Sequence, residues 1–428
     1  MSVAIKDFKD NVGKSVTIQG WMFNKRSSGK VAFLELRDGS GETQGVVVQV
    51  SSEAFKIAQE LNLEASVEVT GTVSRHPKFK DKFELQVFAI KVFQNPTEEY
   101  PIGKKEHGPE FLLDNRHLWL RSRRQAAIQK IRHTAMYSIM DFFDKRGFTR
   151  IDAPIFTPNA CEGTTTLFSV DYFDEGKAYL SQSGQLYQEA AIFGLGKVYD
   201  FGPVFRAEKS KTRRHLTEFW MMDAEMAFHD QKMNMDVQEA MFVYIVEKVL
   251  EKNMPELVVL ERNVEELQRV KGPFHHIKHK DAWKKLADAG FAPRENDDFG
   301  ADEEIALANM FDRPVFVENY PAGVKAFYMK RDPSDDSRVL CADMLLPGYG
   351  EVIGGSQRED DYNILLGCIK DHGLKESDFS WYLDLRKYGS VPHSGFGIGL
   401  ERMVTWLCAL PHVRESIPFP RLINRLRP

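Results

Sequence analysis

The sequence has little cysteine and no long apolar run. Its 428 residues include only four cysteines, and no two of them form a Cys-x-x-Cys pair. Disulfides and thiolate zinc sites are therefore not expected, whereas a reducing compartment is. No apolar stretch approaches the roughly 20 residues of a membrane helix, and the first residues lack the apolar core of a signal peptide. These absences predict a cytoplasmic protein without a membrane partner.

An excess of positive charge is also missing. The chain has 57 Lys and Arg against 62 Asp and Glu, which gives a formal net charge of -5. No global basic field indicates nucleic acid, although a local basic face is compatible with this balance. Hydrophobic residues make up 43% of the chain and charged residues 28%, as in ordinary globular proteins. A chain of this length predicts two or three domains.

The N-terminal part has the pattern of a small β-barrel. Residues 51–62 form an amphipathic helical pattern between the third and fourth of five strand-like segments, which is the order of an OB-fold. The five segments are residues 15–21, 31–37, 44–50, 66–73 and 83–93. We predict an OB-fold domain at 1–95, a linker rich in Pro, Gly and charge at 96–118, and an α+β domain at 119–428. Its pattern favours an antiparallel sheet flanked by helices, with one strand at 326–328.

A cluster of charged residues follows one strand of the second domain. Arg206 and Glu208 precede a loop, residues 209–215, that carries five potentially cationic side chains before Phe219. Like charges repel unless an anion neutralises them, and a polyphosphate suits that role. Phe219 offers a face on which a nucleobase can stack. A solvated basic hairpin tip is the alternative.

Two further motifs add to this cluster. The glycines of residues 395–399, ending at Gly399, precede a helix that carries Arg402 in its first turn, so that backbone and cation can approach a phosphate. Asp343 and Glu351 lie on adjoining extended segments and can hold Mg²⁺, which prefers carboxylate oxygens and substrate phosphates. Surface acids around a turn are the alternative for this pair.

In this order the motifs resemble those of class II aminoacyl-tRNA synthetases of the aspartyl, asparaginyl and lysyl subgroup. Residues 148–156 with Pro154 resemble the first class motif, residues 205–219 the second and residues 397–402 the third. The barrel resembles the anticodon-binding domain of that subgroup. The resemblance covers essentially the whole chain and implies a homodimer formed through the Pro154 segment.

The resemblance also implies a reaction and its residues. The amino acid carboxylate attacks the α-phosphorus of ATP, pyrophosphate leaves, and the aminoacyl group passes to the 3′ end of tRNA. Arg206 and Arg402 are the implied catalytic residues, and Asp343 and Glu351 the implied Mg²⁺ ligands. The implied ATP-binding residues are Arg206, Glu208, Arg214, His215, Phe219, Glu351, Gly399 and Arg402. Gly354 stands where relatives have a serine that helps to bind the metal.

Within the subgroup, residues 181–189 favour asparagine over aspartate. Aspartyl enzymes resemble Ser-Pro-Gln-x-x-Lys-Gln here, whereas this chain has neutral Gln188 for the lysine and an added acid, Glu189. Arg358 can donate to an amide oxygen, and Asp223 or Glu225 can accept from its NH₂ group. The candidate amino-acid-binding residues are Glu162, Ser183, Gln185, Gln188, Glu189, Asp223, Glu225 and Arg358. The expected partners are L-asparagine, ATP and the tRNA for asparagine.

The barrel carries three residues that match the subgroup's pattern for the central anticodon base. Phe33 would stack on the base, while Gln44 and Glu84 would read its edges. Three alternatives remain: an aspartyl enzyme, discriminating or not; an amidating enzyme built on the same catalytic domain; and a plain OB-fold nucleic-acid-binding protein. The last leaves Arg206 and Arg402 without a role.

Overall fold

The computed structural model of the chain describes residues 2–158, 161, 166–210 and 212–428. The chain divides into two compact units, residues 1–108 and 109–428. This division falls inside the segment 96–118 that the sequence predicts as a linker, and the first helix of the second unit begins at Pro109. Among the helices of the described residues, none is long and apolar enough to cross a membrane.

The first unit is a closed five-stranded barrel with strand order β1-β2-β3-β5-β4. Its elements are β1 (Ser15–Ser28), β2 (Val31–Arg37), β3 (Glu42–Val48), α1 (Ser52–Glu60), β4 (Ala65–Arg75) and β5 (Phe83–Gln94). The predicted barrel is confirmed. Strand β1 is longer than predicted because it pairs with β4 and then with β2, with a register shift between Met22 and Asn24. Such a bulge bends a strand and lets the barrel close.

The second unit combines helices with one large sheet, which confirms the α+β class. Its helices are α2 (Pro109–Asp114), α3 (Arg116–Trp119), α4 (Arg123–Lys145), α5 (Gln185–Leu195), α6 (Gln231–Lys252), α7 (Met254–Val259), α8 (Val264–Gln268), α9 (His279–Asp288), α10 (Ala301–Ala308), α11 (Tyr362–Asp371), α12 (Ser380–Lys387) and α13 (Leu400–Leu407). Its strands are β6 (Thr149–Arg150), β7 (Phe156–Thr157), β8 (Ser169–Asp171), β9 (Lys177–Leu180), β10 (Lys197–Phe205), β11 (Glu218–Ala227), β12 (His275–Lys278), β13 (Val315–Glu318), β14 (Arg331–Asp332), β15 (Asp335–Val339), β16 (Cys341–Leu346), β17 (Gly350–Gln357) and β18 (His393–Gly399).

The large sheet has the order β12-β13-β16-β17-β18-β11-β10-β6. The inner strands pair antiparallel, as predicted, but the two outermost pairs, β12–β13 and β10–β6, are parallel. Parallel neighbours need a crossover connection, and helices α5, α9 and α10 lie in these two connections.

One local prediction is wrong. Residues 326–328, predicted as a strand, form no strand, and Phe327 and Tyr328 are turn residues. The glycine-rich segment before Arg402, whose glycines were predicted to let the backbone approach a phosphate, is strand β18. Phe396 and Ile398 alternate with its glycines and are buried, which gives the segment the period of a strand.

Helix α4 supplies much of the core beneath the sheet. Ser122 caps its start, with the side chain accepting a hydrogen bond from the backbone nitrogen of Gln125. Ile128, Ile131 and Ile139 are fully buried at helical spacing and pack in one cluster with the sheet. Burial of each such side chain contributes about 1.5–3 kcal/mol. We expect Ile131→Ala to cost about 2–5 kcal/mol of stability.

Candidate active site

Successive side chains of strand β11 point alternately to the core and to the opposite face of the sheet, where the cavity lies. Met222, Ala224 and Met226 point into the core cluster beneath the sheet. Asp223 and Glu225 therefore point to the opposite face, since successive side chains on a strand alternate. Strand β18 pairs with β11, and its glycines share that face with the two acids. A methyl group built on Gly395 would lie 2.1 Å from Glu225 Oε1, so that only glycine leaves room for this carboxylate.

A cavity of about 550 Å³ lies on this face of the sheet. All the residues that the sequence predicted for ATP line it: Arg206, Glu208, Arg214, His215, Phe219, Glu351, Gly399 and Arg402. They come from β11, β17, β18, α13 and the loop between β10 and β11. The structure thus brings the second and third motifs to one surface, which we call the nucleotide end of the cavity.

Cations and acids alternate at the nucleotide end. Arg402 Nη1 lies 2.6 Å from Glu351 Oε2, and Arg214 Nη2 lies 2.7 Å from Glu304 Oε2. Removal from water alone would raise the pKa of Glu351, but Arg402 and Arg214 outweigh that effect and lower the pKa to about 2. The guanidinium of Arg206 lies 5.9 Å from the ring centre of Phe219. A phosphate and a flat ring can therefore meet cations and an aromatic face here.

The predicted metal ligands lie side by side on β16 and β17. A methyl group built on Gly354 would lie 3.4 Å from both Asp343 Oδ1 and Glu351 Oε1, so that one oxygen of each carboxylate faces the same small space. The other oxygen of Asp343 accepts from Lys325 Nζ at 2.8 Å. Burial, then the charge of Glu351, raises the pKa of Asp343 to about 7 against the opposing effect of Lys325.

Two carboxylates fit a magnesium ion that takes its remaining ligands from water and phosphates. Within the described residues, no group of three or more His, Cys, Asp or Glu side chains forms a dedicated metal cage. The pair Asp343 and Glu351 is a donor set for a metal that also binds substrate phosphates.

The opposite, amino-acid end of the cavity is lined by Ser183, Gln185, Asp223 and Arg358. Arg358 Nη2 donates to Glu225 Oε1 at 2.5 Å, and Nη1 donates to Ser356 Oγ at 2.7 Å. Both members of the Arg358–Glu225 pair are almost fully buried. Burial raises the pKa of Glu225 to about 7. The charge of Arg358 lowers this pKa and the charge of Glu189 raises it, so that Arg358 only partly offsets the effect of burial.

Gln188 and Glu189, two of the predicted amino-acid ligands, are fully buried within α5. Glu189 accepts hydrogen bonds from Tyr382 Oη at 2.7 Å, Arg386 Nη2 at 2.8 Å and His393 Nε2 at 2.9 Å. Gln185 Nε2 also donates to Glu189 Oε1 at 3.0 Å. Because Gln185 lines the cavity, this hydrogen bond connects Glu189 to the cavity through one residue. Glu162 lies outside the described residues.

Several cavity residues were not predicted. Asp298, Lys325, Tyr328 and His372 line the cavity and belong to segments without a motif. Lys325 Nζ lies between Asp298 and Asp343, at 3.1 and 2.8 Å. Lys325 and Tyr328 lie in residues 318–330, where a mixture of charged and aromatic residues is the one signal that could indicate a site. The prediction of a strand at 326–328 gave these residues no role in a site.

The three barrel residues form one row with an unpredicted arginine. Gln44 and Glu84 face each other across β3 and β5, and Gln44 Nε2 donates to Glu84 Oε2 at 3.1 Å. Arg26 Nη2 donates to Gln44 Oε1 at 2.9 Å, and its guanidinium lies 4.7 Å from the centre of the Phe33 ring. The row offers an aromatic face beside polar groups, as recognition of a single-stranded base requires.

Comparison with known families agrees with this geometry. Residues 108–423 match the family described as tRNA synthetases class II (D, K and N). Residues 16–93 match the family described as OB-fold nucleic acid binding domain.

Individual relatives resemble the whole chain. It is 53% identical over 441 residues to the asparagine–tRNA ligase of Sorangium cellulosum (strain So ce56), with 100% of this chain and 99% of that protein covered. Its fold is similar to asparaginyl-tRNA synthetase from Pyrococcus horikoshii complexed with asparaginyl-adenylate, with a TM-score of 0.96, 44% identity and all of both chains covered. The Entamoeba histolytica asparaginyl-tRNA synthetase in complex with asparaginyl-adenylate gives a TM-score of 0.90 at 31% identity, again with full coverage of both chains. The chain therefore belongs to the class II tRNA synthetases of the D, K and N group.

Proposed function

We propose that this protein is an asparagine–tRNA ligase. It activates L-asparagine with ATP, releases pyrophosphate and transfers the asparaginyl group to the 3′ end of the tRNA for asparagine. The observation that carries the choice of amino acid is the buried Arg358–Glu225 pair at the amino-acid end of the cavity.

A side-chain amide matches this pair because it needs one donor and one acceptor. Arg358 donates to the amide oxygen, and Glu225 accepts from the amide NH₂. Aspartate would bring a second oxygen toward the Glu225 carboxylate, and two buried acids repel. A site built for a hydrogen-bonding group discriminates by about 10²-fold or more against an analogue that leaves its polar groups unpaired.

Asp223 supports the α-ammonium group of the substrate in this proposal. Its Oδ2 accepts from Ser183 Oγ at 2.7 Å and from the Gly184 backbone nitrogen at 3.1 Å. A carboxylate that lines a cavity attracts a cation, and the α-ammonium is the only cation that asparagine carries. Gln185 lies beside it, oriented by its hydrogen bond to Glu189.

At the nucleotide end, positioning and charge neutralisation supply the catalysis. Arg206 holds the α-phosphate and the attacking carboxylate, Glu208 accepts from the adenine amino group, and Phe219 stacks on the ring. Arg402 covers the opposite face of the adenine and reaches the γ-phosphate. Arg214 and His215 bind the outer phosphates, and the Gly399 backbone leaves room for the nucleotide.

Asp343 and Glu351 hold Mg²⁺ in the proposed site. When bound, the metal neutralises phosphate charge and orients the pyrophosphate that leaves. The two carboxylate oxygens that face Gly354 support this assignment.

Pyrophosphate exchange tests the reaction and its substrate. We expect exchange that depends on asparagine, negligible exchange with aspartate, and charging of the tRNA for asparagine. Arg402→Ala should abolish exchange, because the cation that spans adenine and γ-phosphate is lost. Arg269→Ala, which removes an exposed arginine of a surface ion pair, is the matched control and should behave like the parent. Equal exchange with aspartate contradicts the proposed specificity and favours an aspartyl enzyme.

The Arg26–Phe33–Gln44–Glu84 row is the proposed anticodon site. Phe33→Ala should lower kcat/KM for tRNA charging by about 10–100-fold, because stacking of one base contributes about 1–3 kcal/mol. Pyrophosphate exchange does not require the anticodon and should remain unchanged. Val50→Ala changes an exposed apolar residue at 89% exposure in the same unit and controls for surface effects.

A homodimer through the Pro154 segment is part of the proposal. Ile155 and Phe156 next to Pro154 are 40% and 51% exposed, an apolar surface that a partner copy would cover. Light scattering should give twice the chain mass of 49.1 kDa, and Phe156→Asp should shift it toward the single-chain value.

We also place the protein in the cytoplasm. Cys341, Cys368 and Cys408 are buried thiols, which suits a reducing compartment. Cell fractionation should recover the protein with cytoplasmic markers.

A further inference from the structure

Two acidic side chains occupy opposed strand positions next to the amino-acid end of the cavity, which Asp223 lines. Asp200 on β10 and Asp223 on β11 are directly opposed in the antiparallel register, so their side chains share one face of the sheet. Both are buried, with 9% and 5% exposure. Two buried carboxyl groups at directly opposed strand positions disfavour simultaneous ionisation, because burial and like charge both oppose the charged form.

Asp223 accepts the hydrogen bonds of Ser183 and Gly184 at the start of α5, and such donors stabilise a carboxylate. Burial, then the charge of Asp223, raises the pKa of Asp200 to about 8. The Asp223 backbone, Gln188 and the more distant Arg150 favour ionisation of Asp200 but do not outweigh these effects.

Gly184 makes this arrangement possible. A methyl group built on Gly184 would lie 1.9 Å from Asp200 Oδ2 and 2.8 Å from the Ala153 methyl group. The Asp200 carboxyl therefore occupies the space that any side chain at position 184 would need, next to the backbone that binds Asp223.

We propose that Asp200 is a positioning residue of the amino-acid site, an acid that packs against Gly184 and holds Asp223 in the orientation that receives the substrate α-ammonium group. This inference rests on the proposed function. When the ammonium binds at Asp223, its positive charge stabilises the ionised form of Asp200, and the proton of Asp200 passes to the solvent. Binding of asparagine is thereby linked to release of a proton.

Kinetics of the asparagine-dependent exchange test the positioning role. Asp200→Ala removes the packing and should raise KM for asparagine about tenfold, with KM for ATP changed by less than about twofold. Asp200→Asn keeps the shape of the neutral acid and should recover most of the lost affinity. Asp236→Asn, which neutralises an exposed acid that pairs with Lys232 on α6, controls for loss of a carboxyl group.

Titration calorimetry tests the proton. Asparagine is titrated into the full chain at pH 7.5 in two buffers of different ionisation enthalpy, and the parent should release more protons than Asp200→Asn. Equal release by the two proteins overturns the inference, as does an unchanged KM for asparagine in Asp200→Ala. Equal increases in both KM values indicate a purely structural role and overturn it as well. If the parent shows no asparagine-dependent exchange, the proposed function itself fails. If the parent exchanges normally and the Asp200 variants match it in KM for asparagine and in proton release, only this inference fails.

Discussion

An arginine that lines each end of the cavity pairs with a glutamate, and the two pairs differ in their exposure to water. Arg402 and Glu351 are 2.6 Å apart at the nucleotide end, with side chains 26% and 31% exposed. Arg358 and Glu225 are 2.5 Å apart at the amino-acid end, with side chains 3% and 1% exposed. The same two residue types therefore form a wet pair and a dry pair in one cavity.

The difference in surroundings reverses the effect on the acids. Glu351 has two arginines nearby, which lower its pKa to about 2, whereas burial raises the pKa of Glu225 to about 7. A partly exposed pair can open to admit phosphates and metal at little cost. A buried pair is fixed, and it rejects a ligand that leaves either member unmatched. The wet pair suits binding of a charged nucleotide, and the dry pair suits discrimination between similar amino acids.

Removal of each arginine in turn should give the largest difference between the two pairs. Arg358→Ala leaves Glu225 buried and unpaired, so we expect a loss of about 3–5 kcal/mol in unfolding free energy together with loss of asparagine activation. Arg402→Ala should also abolish activation but cost less than about 1 kcal/mol of stability. Urea unfolding followed by tryptophan fluorescence measures the unfolding free energy of both variants. Equal destabilisation by the two variants contradicts the distinction between dry and wet pairs.

Neutralising the dry acid should weaken discrimination. Glu225→Gln removes the charge that repels aspartate, so the ratio of kcat/KM for asparagine to that for aspartate should fall by about 10²-fold. Steady-state pyrophosphate exchange with the two amino acids gives this ratio. Glu247→Gln, an exposed acid on α6, is the control and should leave the ratio unchanged. A ratio that survives Glu225→Gln would assign discrimination to other residues.

Acidification should have a similar but smaller effect on the parent enzyme. Because the pKa of Glu225 is raised to about 7, this residue is mostly ionised at pH 8 and mostly protonated at pH 6. The asparagine-to-aspartate ratio should therefore fall at least about tenfold from pH 8 to pH 6. Other titrating groups near the phosphates affect both amino acids and cancel in the ratio. Glu225→Gln should give a ratio that is flat with pH, and a sloping one disagrees with the assignment.

The smallest effect is expected at the wet end. Gly354→Ser adds a hydroxyl group near Asp343 Oδ1 and Glu351 Oε1, where the added carbon would lie 3.4 Å from each oxygen. One further neutral oxygen ligand should tighten Mg²⁺ binding by only about threefold. The magnesium dependence of exchange and calorimetric titration of Mg²⁺ with ATP measure this. Weaker binding of Mg²⁺ in the variant indicates that the space is needed for water or phosphate.

Much of the nucleotide end could be predicted from the sequence. Arg206, Glu208, Phe219 and Arg402 lie in short motifs whose order resembles a known family, and the motifs fall on β10, β11 and β18 and the segments that directly follow them. Residues on paired strands approach each other without long-range adjustment. The order of the barrel strands could equally be predicted from the sequence, because five strand-like segments and one helix leave few other topologies.

The amino-acid end could be predicted only in part. Glu189 was predicted as a ligand because it adds an acid where aspartyl enzymes have glutamine, but its partners Tyr382, Arg386 and His393 lie about 200 residues away in the chain. Lys325 and Asp200 were missed because neither belongs to a motif. Their roles arise from what surrounds them.

The sequence by itself determined the barrel, the α+β class and the family, because period-two strands and closely spaced charged motifs are local signals. Only the tertiary structure decided which arginine–glutamate pair is dry, which acid faces the cavity, and that Gly184 leaves room for Asp200. Burial and strand register control these properties, since the charge state of a carboxyl group depends on neighbours that the fold brings from distant parts of the chain.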